Sequence, residues 1–158
     1  MMLNQIPEQL KLPDLGLFPL QEYWRWAVIR RVNVKLKPGE RHILWDYESA
    51  GWLYWVYAKA NDPDIYLRID LKSLPSTIEA EMTFRELYDL GFANSPSIRL
   101  LRYDDVNKVY CAELAPGIIG FLGAPFRDRI SAIVFNPTDH EIEYSISAWI
   151  ILLKSEKI

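Results

Sequence analysis

The sequence predicts an all-β fold: a two-sheet antiparallel β-sandwich, jelly-roll-like in its connections, with one short helix over about residues 83–91. Three observations predict it. Short runs alternate apolar and polar residues with a period of two, as in 64–71, where Ile65, Leu67, Ile69 and Leu71 share one parity. Clusters of Asn, Asp, Pro, Gly and Ser separate these runs at short intervals. Strands do not alternate with long helical patterns, as a parallel sheet would require. A closed barrel is the alternative arrangement of the same strands.

Residues 1–22 differ from the rest. Pro7, Pro13 and Pro19 forbid a long helix and a central strand. Leu10, Leu12, Leu15, Leu17, Phe18 and Leu20 make the segment too apolar to be left in water. It reads as an extended arm that lies on its own domain or crosses to a neighbouring subunit.

The sandwich domain is expected over 23–153, followed by a polar tail at 154–158. Tyr23 to Leu36 contains the alternation Val32-Asn-Val-Lys-Leu36, and Lys37-Pro-Gly-Glu40 is a turn. Arg41 to Tyr47 reads as a short strand. Gly51-Trp-Leu-Tyr-Trp-Val-Tyr57 and 64–71 read as a hairpin across the turn Asn61-Asp-Pro-Asp64. Thr77 to Met82 is a further strand. Thr83 and Glu86 have capping-box spacing, Gly91 suits the helix end, and Phe84, Leu87 and Tyr88 mark one buried face.

Ser97 to Tyr103 and Lys108 to Ala115 form a second hairpin across Asp104-Asp-Val-Asn107. Pro116 to Pro125 reads as a loop with apolar tips at Ile118, Ile119, Phe121 and Leu122. Arg129 to Phe135 and Glu141 to Leu153 complete a set of eight or nine strands.

Length and composition set bounds on function. A chain of 158 residues suits one domain with a real core. Its net charge of −3 gives no excess of cations to neutralise phosphates, which argues against nucleic acid as a partner. Cys111 is the sole cysteine, so neither an internal disulfide nor a multi-cysteine metal site can form. No apolar run reaches the ~18 residues of a membrane span, and Met1 to Glu8 lacks the pattern of a secretory signal. Six tryptophans and nine tyrosines are many for this length, and they fit either a bulky core or contact with a partner or ligand.

No catalytic constellation stands out. His42 and His140 are the only histidines and lie in separate segments, which does not make a transition-metal site. The turns at 61–64 and 104–107 are rich in oxygen, but neither has the length or terminal Glu of an EF-hand loop. Cys111 sits inside a strand and reads as a small apolar residue. There is no Gly-x-Ser-x-Gly elbow, and the segment Gly117 to Gly123 lacks the Lys-Ser/Thr ending of a phosphate loop. Asp70, Glu79, Glu81 and Glu113 are the carboxylates a glycosidase pair would draw on, yet nothing in their spacing selects two. No catalytic residue, metal or cofactor is assigned, and the chain is expected not to be an enzyme.

The order of the pieces carries a resemblance. The Lys37-Pro-Gly-Glu40 turn is followed by Gly51-Trp-Leu-Tyr-Trp-Val-Tyr57, Asn61-Asp-Pro-Asp64 and Tyr66-Leu-Arg-Ile-Asp70. Then come Glu86-Leu-Tyr-Asp-Leu-Gly91, Tyr103-Asp-Asp-Val-Asn-Lys-Val-Tyr110, and Pro125-Phe-Arg-Asp-Arg-Ile130 before the Asn136-Pro turn. This style of strand and turn resembles the small β-sandwich virion structural proteins of tailed phages and of viruses of thermophiles, over residues 23–153.

The resemblance implies a non-enzymatic viral protein that works on a capsid or tail as a homo-oligomer, a ring or trimer, bound to itself and to other virion proteins. It implies no nucleic-acid or membrane partner. Leu10, Leu12, Leu15, Leu17, Phe18 and Leu20 are then the arm contacts, and Ile118, Ile119, Phe121 and Leu122 a second contact. Burying a side chain of this kind contributes roughly 1.5–3 kcal/mol. Ordering costs offset much of it, so a symmetric, multivalent assembly is needed.

The alternative is a carbohydrate-binding module for glycan or host-surface attachment, with Trp52, Tyr54 and Trp55 as the platform. In 51–57 the aromatic residues fall on both parities, which more often marks a strand covered on both faces.

Overall fold

The computed structural model describes residues 24–91, 98–119 and 122–153. Its elements are β1 (Trp24–Leu36), β2 (Arg41–Tyr47), β3 (Gly51–Ala60), β4 (Tyr66–Ser73), β5 (Ser76–Met82), α1 (Phe84–Asp89), β6 (Ile98–Asp104), β7 (Val109–Leu114), α2 (Pro116–Ile119), β8 (Ala124–Phe126), β9 (Arg129–Phe135) and β10 (Ile142–Leu153). The larger sheet has the order β1-β10-β3-β7-β6, with β8 also paired to β3. The smaller sheet has the order β2-β9-β4-β5. All pairings are antiparallel.

The pairing is nested. β1 lies against β10, β2 against β9, β3 against β7 and β4 against β5. Rolling nested pairs alternately into two sheets produces a jelly roll. The expected sandwich is therefore present, and its connections follow the jelly-roll order.

Three local expectations need correction. Gly51–Tyr57 and 64–71 do not form a hairpin, because β3 belongs to the larger sheet and β4 to the smaller. The turn between them crosses from one sheet to the other. It is held to β10 by Asn61 N donating to Glu143 O (3.1 Å) and Glu143 N donating to Asn61 Oδ1 (2.9 Å). Alternation reports which side of a strand is buried and says nothing about its neighbour. Second, the segment 116–125 is not all loop: it holds α2 and the start of β8, which pairs with Gly51–Leu53. Third, Tyr88 is exposed rather than buried with Phe84 and Leu87; its ring stacks on Tyr103 at 4.2 Å.

The core lies between the sheets and follows the alternation. In β10, Ile142, Tyr144, Ile146, Ala148, Ile150 and Leu152 all point inward and are buried. They face Leu67, Ile69 and Leu71 of β4 and Ile130, Ala132 and Val134 of β9. The void between the sheets beside Ala60, Met82 and Phe84 has a volume of about 20 Å³, room for one water and no ligand.

Helix α1 joins the smaller sheet to the larger. The Thr83 hydroxyl accepts from Glu86 N (3.0 Å), and Gly91 follows the C-cap with φ +77°, a conformation that glycine adopts without strain. At Gly51 the reason for glycine is space: a β-carbon there would collide with the Ile151 carbonyl and the Phe126 ring.

Candidate functional site

The aromatic segment of β3 is explained by a bulge. Across β10, Val56 faces Ala148, Trp55 faces Trp149, and Leu53 faces Ile150, so Tyr54 is an extra residue. The bulge changes the parity of the strand. Leu53 and Val56 can both enter the core, although they are three positions apart, and both are buried. Trp55 and Tyr57 then turn to the outer face, and Trp52 faces Ile151 on that same side. Tyr54 joins them, with its ring edge-to-face on Trp26 at 5.5 Å.

The outer face of the larger sheet is thereby divided in two. Reading across β1, β10 and β3, the first rows are Trp24 with Leu153, Trp26 with Ile151 and Trp52, and Val28 with Trp149 and Trp55. The next rows are Arg30 with Ser147 and Tyr57, and then Ser145 with Lys59. One half is apolar and the other polar. The apolar half is at the end of the sheet where β1 begins.

Within the apolar half the rings interlock. Trp24 meets Trp26 at 6.2 Å, Trp26 meets Trp149 at 5.5 Å, and Trp149 meets Trp55 at 6.5 Å, all edge-to-face. This is a favoured arrangement of aromatic quadrupoles. The tryptophans are half-buried and Ile151 is fully buried, whereas Val28, on the edge strand in the row that borders the polar half, is 59% exposed.

At the border, Trp55 and Tyr57 lie with their ring planes 13° apart. Trp55 Nε1 donates to Glu113 Oε2 (3.0 Å), and Arg99 closes an ion pair on the other carboxylate oxygen. Burial alone would raise the Glu113 carboxyl, but the Trp55 and Arg99 hydrogen bonds outweigh it and hold it below its ordinary value. The Tyr57 hydroxyl donates to Cys111 Sγ (3.4 Å). That contact and burial push its pKa up to about 12.

The remaining sequence candidates are placed as follows. Leu10, Leu12, Leu15, Leu17, Phe18, Leu20 and Phe121 lie outside the described residues. Ile118 and Ile119 are in α2, and Leu122 is half-buried just before β8. Asp70, Glu79 and Glu81 converge on the outer face of the smaller sheet around one cation: Arg68 reaches them at 2.9, 2.8 and 3.3 Å. Glu113 is on the other sheet. Each of the three clustered carboxylates is thus engaged by a guanidinium.

The histidines are separate as well. His42 Nδ1 contacts the Tyr144 hydroxyl (2.9 Å), whereas His140 lies between Asp62 (2.5 Å) and Asp139 (3.0 Å). In the oxygen-rich turns the oxygens accept from protein donors. Asp104 Oδ1 takes Val106 N and Asn107 N, and Asp62 Oδ1 takes Asp64 N. Among the described residues no group of three or more His, Cys, Asp or Glu is arranged to hold a metal ion. Nor is any helix among them long and apolar enough to cross a membrane.

Sequence reasoning missed Trp24, Trp26, Val28, Tyr57 and Trp149. A signal for them existed. The outward parity of β10 runs Glu143, Ser145, Ser147, Trp149, Ile151, Leu153, and that of β1 runs Trp24, Trp26, Val28, Arg30. Each turns from polar to apolar toward one strand end, and antiparallel pairing brings the two apolar ends together.

No protein-family model and no curated protein matches the chain.

Proposed function

We propose that this chain is a non-enzymatic structural subunit of a virion, which self-associates and docks through its N-terminal arm. The observation that carries the proposal is the half-apolar outer face of the larger sheet, at the strand end into which the arm leads. Aromatic and aliphatic side chains gathered on a sheet exterior, with Val28 exposed among them, suit an interaction surface. The jelly roll is consistent with this, since capsid domains use it, although lectins and cupins do too.

The test is the native mass of the full chain by light scattering, compared with a variant lacking residues 1–22. The full chain is expected to be a closed oligomer, and the shortened chain to retain its strand signal by circular dichroism while assembling less. A strict monomer, or a shortened chain that assembles normally, overturns the proposal. The second reading is a carbohydrate-binding module, favoured by the near-parallel Trp55 and Tyr57 rings beside Arg99 and Glu113. A monomer whose glycan-array signal disappears in a folded Trp55→Ala variant would establish that reading instead.

A further inference from the structure

The two sheets end in four strands, and the charges on those strands differ. β1 and β6 close the larger sheet, β2 and β5 the smaller. β2 and β6 carry ions of both signs, and these pair within the molecule: Asp46 with Arg129, Arg99 with Glu113, and Arg102 with Asp104. On β1 and β5 the charge has a single sign. Trp24–Leu36 holds Arg25, Arg30, Arg31 and Lys35 and no acid, whereas Ser76–Met82 holds Glu79 and Glu81 and no base.

Neither charge is fully met within the chain. Among the described residues Arg25 and Arg30 have no carboxylate within ion-pair distance, and Lys35 has Glu141 at 3.9 Å. On the other side, Glu79 and Glu81 share Arg68 with Asp70. Three carboxylates therefore face one guanidinium, an excess of two negative charges. The two edges cannot meet in one molecule. Arg31 of β1 reaches the Ile43 carbonyl of β2, which is the end of the smaller sheet opposite β5.

Both edges are suited to receive a strand. Among the described residues each lacks a sheet neighbour on one side, which leaves a row of backbone N–H and C=O groups open to pairing. Trp24 to Arg31 runs in unbroken register, about the length of the seven residues of β5. Each edge also presents an exposed aliphatic side chain, Val28 on β1 and Ile78 on β5. Charges of one sign guard an edge against a copy of itself. β1 is thus closed to β1 and β5 to β5, while opposite sign opens each to the other.

From this we infer that the β1 edge of one copy pairs as a strand with the β5 edge of the next, bringing Arg25 and Arg30 to the carboxylates of Glu79 and Glu81. The inference rests on the self-association proposed above and names its contact. A contact between two different edges is head-to-tail, so it propagates from copy to copy and closes into a ring where the rotation allows. One strand pair is a small interface, and closure of the ring makes it secure.

The experiment reverses the charges in the full chain and reads native mass by light scattering. Arg30 and Glu79 are both exposed, so Arg30→Glu and Glu79→Arg leave the core untouched. Each variant alone should need at least about tenfold more protein to assemble, since like charges then face each other. Mixing the two variants should restore assembly, because the altered β1 of one then meets the altered β5 of the other. The double variant should assemble like the unaltered chain for the same reason.

An unaltered chain that is a monomer removes both the assembly reading and this contact. An oligomer that the single variants leave unchanged overturns the contact alone, and so do folded single variants that neither mixing nor the double substitution rescues. Amide hydrogen exchange on the unaltered chain gives a second measurement that needs no variant. Assembly should slow exchange in 24–31 and in 76–82 relative to the diluted protein; equal exchange in the two states counts against the contact.

Discussion

Asn136 shows how much a single turn residue can hold together. It is fully buried, and its side chain is saturated. Nδ2 donates to Leu36 O (2.9 Å) and His140 O (2.7 Å), while Oδ1 accepts from Thr138 N (2.9 Å) and the Thr138 hydroxyl (2.6 Å). Its backbone bonds Glu40 and Gly39 as well. One side chain therefore ties the end of β1 to the β9–β10 turn and fixes the turn itself. Asn136→Ala should destabilise the domain by about 3 kcal/mol in urea unfolding, because carbonyls are left buried without donors. In the sequence, Asn136-Pro-Thr-Asp139 was legible as a turn. That its first residue reaches a strand one hundred positions away was not, since spacing along the chain carries no record of long-range partners.

Between elements, the two turns at one end of the sandwich are joined by His140. Its ring bridges Asp139 of its own turn and Asp62 of the β3–β4 turn. The hydrogen bonds to Asp139 and Asp62 raise the His140 pKa above its ordinary 6.5. A raised folded-state pKa stabilises the fold fully below the unfolded value and loses that contribution as pH rises through the folded one. The melting temperature is therefore expected to fall as pH increases from 6.5 upward through the raised value, and His140→Gln should remove that dependence. A variant with the same pH profile would show that the bridge is not coupled to stability.

The β3 bulge belongs to the same scale. The element itself was readable from Gly51 to Tyr57, but the parity change at Tyr54 was not, because a bulge leaves no mark in a pattern of aromatics on both parities. The mistaken hairpin between β3 and β4 has the same origin: each strand was correct, and its partner was not encoded locally.

At the scale of the molecule, the sheet order shows why every strand depends on distant ones. β10 is flanked by β1 and β3 and supplies an unbroken inward row from Ile142 to Leu152. Removing residues 142–153 should leave no folded domain by circular dichroism, since β1 then loses the one sheet neighbour it has among the described residues and the core loses one wall. The all-β class and the single amphipathic helix were legible from periodicity and turn chemistry. The half-apolar outer face was only latent, because it appears when β1 and β10 are aligned in opposite directions.

The nested pairing also constrains biosynthesis. Among the described residues, the first strand of the domain has the last as its one sheet neighbour. During translation, β1 must therefore wait, with its tryptophans uncovered, until β10 has cleared the ribosome. Pairing of the first strand is therefore among the last steps of folding, and its apolar side stays open to off-pathway contacts until then.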